Sequence, residues 1–149
     1  MSGELEVREL RHGDLEALLQ LYRDLHPEDE PIWEERSRAL WGEILADAKQ
    51  IYLGGFAGDE LVAACNAVIV LNLTRGCRPF AVIENVVVST QRRRRGFGAS
   101  VLGELIERCW VRGCYKIMLM SASGRAGAHE FYEALGFDKH SKQAFVMKR

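Results

Sequence analysis

The segment IENVVVSTQRRRRGFGASVLGELIERCW, residues 83–110, decides how the rest of the chain is read. It begins with a β-branched run that suits a strand, passes through four consecutive arginines and Gly96-x-Gly98, and opens into apolar residues at helical spacing. A strand, a short basic loop with glycines and a helix start form the general arrangement for holding a phosphate. The first-turn N–H groups of a helix have no intrahelical partner, and the helix dipole adds about half a positive charge at that end. Glycine lets the backbone come close where a Cβ would hold a phosphate away. An arginine run taken alone is equally a solvated turn; its junction with a helix N-terminus is what favours an anion. Neither of the two best-known glycine loops is present: G-x-x-x-x-G-K-[ST] is absent, and Val101 stands where G-x-G-x-x-G needs its last glycine.

The positive charge is local. Across 149 residues, 20 Lys and Arg balance 21 Asp and Glu, so the chain as a whole has no bias toward nucleic acid or an anionic membrane. Phe97 is the one aromatic beside the arginines, too little for a base-stacking platform. The N-terminus MSGELEVREL has no apolar signal region, and no run reaches the roughly 18 apolar residues that span a bilayer. These features predict one domain over residues 1–149, cytoplasmic, with no membrane or nucleic-acid partner. Cys65, Cys77, Cys109 and Cys114 lack C-x-x-C spacing and read as reduced structural thiols, with no metal site.

Outward from the opening segment, ELEVREL (4–10) alternates as a strand, and residues 13–25 carry Leu15, Leu18, Leu19, Tyr22 and Leu25 on one helical stripe behind the N-cap candidate Asp14. HPEDEPI (26–32) breaks the pattern with two prolines, and helical spacing resumes through Trp33, Leu40, Trp41, Ile44 and Leu45. QIYLGGFA and ELVAACNAVIVL, joined by Gly58-Asp59, read as a hairpin; PFAVIENVVVS is the next strand. After the helix that ends near Gly113 come a strand (KIMLMSA), a helix (AGAHEFYEAL) and a last strand, AFVMKR. The order β-α-α-β-β-β-α-β-α-β predicts an α/β fold with one mixed sheet and helices on its faces.

The spacing V-x-x-x-x-R-x-x-G-x-G, met by Val88, Arg93, Gly96 and Gly98, resembles the acetyl-CoA-binding motif of the GNAT superfamily of N-acetyltransferases. AHEFYEALGF (128–137) resembles that family's second motif, A-x-x-F-Y-x-x-x-G-F. The resemblance implies the GNAT fold, acetyl-CoA as co-substrate, and a CoA pyrophosphate on the loop Arg93, Arg94, Arg95, Gly96, Phe97, Gly98, Ala99 and Ser100. It also implies a pantetheine arm running beside Val86 and Val88, with the Val86 N–H polarising the thioester carbonyl. Tyr132 matches the tyrosine near the CoA sulfur. Arg125 stands where many relatives carry asparagine.

Acyl transfer to an amine needs a base, because an alkylamine of pKa near 10.4 is almost wholly protonated at neutral pH. Glu84 is the candidate, since strict strand alternation puts Glu84, Val86 and Val88 on one face; an exposed carboxylate in an ordinary ion pair is the bland alternative. For the acceptor, the acidic elbow suits a cationic amine such as a polyamine, an aminoglycoside or a lysine-bearing tail. IENVVV and CYKIMLM are instead similar to amino-sugar-phosphate members, and Arg75 and Arg78 would then meet a phosphate. The reading is acetylation of a small-molecule primary amine by direct attack in a ternary complex. The competing readings are a catalytically silent CoA-binding module and a protein or peptide amine acetyltransferase. AFVMKR at a sheet edge predicts a homodimer.

Overall fold

β3 (Glu60–Val70) is the spine of the computed structural model, which describes residues 4–29 and 34–149. It pairs antiparallel with β2 (Gln50–Ala57) on one side and with β4 (Phe80–Val88) on the other. β1 (Leu5–Glu9) pairs antiparallel with β2, and β5 (Ile117–Leu119) completes the order β1-β2-β3-β4-β5. β2 and β3 form the expected hairpin, with Ala57 opposite Glu60 and Gly58 at φ 60 in the turn. The helices are α1 (Leu15–Leu25), α2 (Glu34–Ala46), a single kinked turn α3 (Thr74–Cys77), α4 (Phe97–Val111) and α5 (Ala126–Ala134). The chain divides into two compact units, one ending at Met118 and one beginning at Leu119.

In the first unit the sheet buries both faces. On one, Leu10, Leu18, Leu21, Trp41, Phe56, Leu61, Ala64 and Val87 form a core to which α1 and α2 contribute. On the other, α4 lays down Val101, Leu102, Leu105 and Cys109, each no more than 1% exposed. Gly54 and Gly55 sit where these layers press hardest. A Cβ on Gly54 would lie 2.5 Å from Leu10 Cδ2, and one on Gly55 would lie 2.6 Å from Val101 Cγ2.

Asp14 occupies the N-cap position of α1, but its carboxylate turns back to accept hydrogen bonds from the Arg11 N–H (2.7 Å) and from two guanidinium nitrogens of Arg8 (2.8 and 3.0 Å). Leu40, expected on the buried stripe of α2, is 53% exposed. Trp33 and the second half of the acidic elbow lie outside the described residues.

The predicted last strand is corrected. AFVMKR joins no ladder, and Phe145, Val146 and Met147 are 90%, 67% and 99% exposed. Alternation supplies a strand's faces but not its partner, and an unpaired strand has no hydrogen bonds to hold it.

Candidate active site

The glycine–arginine corner leads directly into α4. α4 is N-capped by Gly96 at φ 77, ψ 8, and no side chain caps its first turn. Ser100 turns inward instead, its N–H and Oγ both donating to the Gly96 carbonyl at 3.1 Å. Arg94 (φ 64) and Gly96 are both left-handed with Arg95 between them, the alternation that turns successive N–H groups into a concavity. Arg92 is engaged elsewhere, in a 2.7 Å ion pair with Glu60. Arg93, Arg94 and Arg95 are exposed and form no ion pair among the described residues. Phe97, Gly98 and Ala99 are half-buried at the start of α4. Thr90, at the entry to the loop, donates its N–H to Asp24 of α1 at 3.2 Å.

Upstream of the corner, β4 departs from simple alternation. Ala64 pairs with Val87 and Asn66 pairs with Glu84, so three steps on β4 match two on β3. The extra residue is a β-bulge, and Asn85 within it has φ 52. The register therefore corrects the face expected for Glu84. Glu84 shares the α1–α2 face with Val82, Asn66 and Val87, whereas Val88, opposite Ala63, points to the α4 face. Glu84 itself is exposed, Val86 and Val88 half-buried.

The same register assembles a polar row that sequence spacing does not reveal. Tyr52 on β2 lies opposite Asn66 on β3, which lies opposite Glu84 on β4. Asn66 is 4% exposed and accepts a hydrogen bond from Asn85 Nδ2 at 3.1 Å. Tyr52 packs edge-on against Trp41 with ring centroids 5.2 Å apart, and burial pushes its phenol above the usual tyrosine range. Tyr22, from α1, is pushed up further by deeper burial.

At the opposite end of β4, Arg75, Arg78 and Lys116 surround one ring. Their charged groups lie 6.0, 5.6 and 5.2 Å from the Tyr115 centroid, and none forms an ion pair among the described residues. The loop that carries the arginines is built rather than slack. Arg75, Gly76 and Cys77 are all left-handed, and Asn72 Nδ2 donates to Thr74 O, Thr74 Oγ1 and Arg78 O at 3.0–3.2 Å. Lys116 is the member that the sequence reading missed, because it joins the arginines only where Tyr115 N–H donates to Pro79 O and Ala81 N–H donates to Lys116 O.

In the second unit, Tyr132 lies on α5 between Phe131 and Phe137, ring centroids 5.3 and 6.1 Å away. Arg125 holds the N-cap position of α5 with its side chain exposed. Three cysteines are buried and their thiols pushed up by desolvation, Cys109 to about 11; Cys77 alone is exposed. A cleft of about 490 Å³, lined by Glu9, Arg11, His12, Leu45, Asp47 and Tyr52 among others, opens at the end of the sheet away from the arginine corner.

Residues 15–137 match the profile of the Acetyltransferase (GNAT) family, and the chain belongs to that family. Its reaction class is acyl transfer from acetyl-CoA. The chain is 30% identical over 141 residues to glucosamine 6-phosphate N-acetyltransferase 1 of Oryza sativa subsp. japonica, covering 92% of this chain and 83% of that protein. It is 25% identical over 140 residues to aminoglycoside N(6')-acetyltransferase type 1 of Serratia marcescens, covering 92% and 94%. Among solved structures, an acetyltransferase of Trypanosoma brucei superimposes with a TM-score of 0.82 at 28% identity, over 97% of this chain and all of that one. Among the described residues no helix is long and apolar enough to cross a membrane.

Proposed function

We propose that this protein, acting as a single domain, transfers the acetyl group of acetyl-CoA to the primary amine of a small molecule by direct attack within a ternary complex. The observation that carries this reading is the uncapped α4 N-terminus, with left-handed Arg94 and Gly96 and, before it, Arg93, Arg94 and Arg95, which form no ion pair among the described residues. The first-turn N–H groups and the arginines hold the pyrophosphate. Charge-assisted bonds of this kind are the strong ones, and a helix start adds favourable dipole energy.

Glu84 removes the proton from the acceptor ammonium, so that the amine lone pair can attack the thioester carbon. It reaches the amine from the α1–α2 face that it shares with Asn66 and Tyr52. The Val86 N–H donates to the carbonyl oxygen as it gains charge, a contribution of about 3 kcal/mol for such a donor. As the tetrahedral adduct collapses and the C–S bond breaks, Tyr132 protonates the departing thiolate, and the second proton lost from the nitrogen restores the Tyr132 hydroxyl through solvent. Glu84 then releases its proton to solvent, to which it is open.

The acceptor is an amino sugar bearing a phosphate. Arg75, Arg78 and Lys116 around Tyr115 support this, being three cations with no carboxylate partner among the described residues, the two arginines on a loop whose residues 75–77 are left-handed. The name of the rice relative gives the same acceptor class. The acidic elbow supports a second class, a polycation such as an aminoglycoside, which fits the name of the Serratia relative.

Two measurements test the proposal. Calorimetry with acetyl-CoA should show micromolar binding; its absence removes the donor site. Thiol release followed with DTNB across glucosamine 6-phosphate, glucosamine, an aminoglycoside, spermidine and a lysine peptide should be fastest with the phosphorylated sugar. Donor binding with no turnover on any amine would leave the silent CoA-binding module as the function, and preference for the peptide would move the assignment to protein acetylation.

A further inference from the structure

β4 carries one residue more than β3 between the pairs Ala64–Val87 and Asn66–Glu84. A slip of one position would restore continuous pairing but reverse the face of every residue beyond it, so a bulge persists only where something pins it. One pin is apolar: Val87 is 5% exposed in the α1–α2 core, a place it loses in the slipped register. The other is polar. Asn85 is held at φ 52, a conformation that asparagine tolerates better than most L-residues but that still costs more than extended backbone. Its Nδ2 donates to Oδ1 of Asn66, 19 positions earlier, and Asn66 is an almost fully buried polar side chain set between Tyr52 and Glu84 on neighbouring strands. A buried amide in such surroundings is costly unless its position is used.

We infer that Asn66 is a positioning residue for the acyl-transfer site: its buried side chain latches Asn85 in the left-handed conformation and so fixes the bulge that aims Glu84 and the Val86 N–H. Asn66 touches neither donor nor acceptor; it acts through the backbone of residues 84–87. The kinetic part of this inference rests on the proposed acetyl transfer, whereas the latch itself does not. Strain held at a site in this way costs stability and persists because surrounding contacts over-determine it.

The test uses the full-length protein with Asn66→Leu, Asn85→Ala and their combination, and Asn85→Gly placed in the Asn66→Leu background. Each single substitution should lower kcat about tenfold while the Kd for acetyl-CoA changes less than threefold, because the α4 cradle is untouched. The Asn66→Leu, Asn85→Ala double variant should be no slower than the worse single one, as two ends of one bond require. Glycine adopts φ near +50° without a latch, so Asn85→Gly should recover at least threefold in kcat over Asn66→Leu alone. Additive losses, no loss, or no recovery with glycine would overturn the latch, since a purely packing role for Asn66 is not repaired by backbone freedom at residue 85. Hydrogen exchange gives a readout that needs no activity. Amides 84–88 should exchange at least tenfold faster in Asn66→Leu than in the native protein, with β2 unchanged; equal rates would also sink the inference. Should the native protein fail to bind acetyl-CoA, the proposed function falls while the exchange result still decides the latch.

Discussion

Asn66 stands directly opposite Glu84 across the β3–β4 ladder, on the face covered by α1 and α2, although strict alternation along β4 would place Glu84 with Val88 on the α4 face. In the proposed mechanism the carboxylate therefore meets the acceptor from the α1–α2 face. Glu84→Gln is nearly isosteric and removes the proposed base. It should lower kcat by roughly 10²- to 10⁴-fold with acetyl-CoA affinity kept, as single-turnover kinetics and calorimetry would show. Retained turnover would transfer the role to water or to the acceptor itself.

Tyr132→Phe keeps the aromatic contacts with Phe131 and Phe137 and removes only the hydroxyl. As the acid for the leaving thiolate its loss should cost roughly tenfold or more in kcat.

Gly96→Val places a β-branched residue at φ 77, in the left-handed region that such side chains avoid. The helix start must shift, and KM for acetyl-CoA should rise at least tenfold with little change in kcat. Arg93→Ala should weaken donor binding less, and its effect should fade as salt is raised, since exposed charges are screened within about 10 Å at 0.1 M.

Asp14 is held below the ordinary carboxylate range chiefly by its hydrogen bonds from Arg8, against the opposing effect of burial. A group depressed in the folded state adds stability that is fully present above its unfolded pKa of about 3.9 and is lost as pH falls through its lower folded value. Unfolding midpoints should therefore drop on acidification below about pH 4 in the native protein. Asp14→Asn should be less stable near neutrality, with a flatter acid limb.

The thiols offer a direct check on the route. Cys65, Cys109 and Cys114 are buried and held protonated by desolvation, so in the native protein only Cys77 should react with an alkylating reagent. Cys77→Ser should leave kcat within twofold. A large loss would instead point to an acyl-cysteine intermediate.

Trp41 fills the core beneath Tyr52, and its Nε1–H donates to Arg11 O at 3.1 Å. Trp41→Ala should cost about 3–5 kcal/mol in urea unfolding. Trp41→Phe should cost less but leave that carbonyl without its indole donor.

What the residues alone determined is local. β-branched runs, three-and-four spacing, the Gly58-Asp59 turn and the arginine–glycine loop before a helix are patterns whose physics acts within a few residues, so most strands, the helices and the loop that opens α4 were legible. The tertiary structure decided whatever depends on pairing between distant segments. IENVVV reads as unbroken alternation, and only the register against β3 inserts the bulge at Asn85 and turns Glu84 toward Asn66. AFVMKR alternates as well as any strand but has no ladder to join. Lys116 lies some 40 positions from Arg75, and the sheet alone brings both to the Tyr115 ring. Alternation carries no information about which partner strand a segment meets or where the two fall out of step, because ladder hydrogen bonds are made between backbones and are blind to side-chain identity.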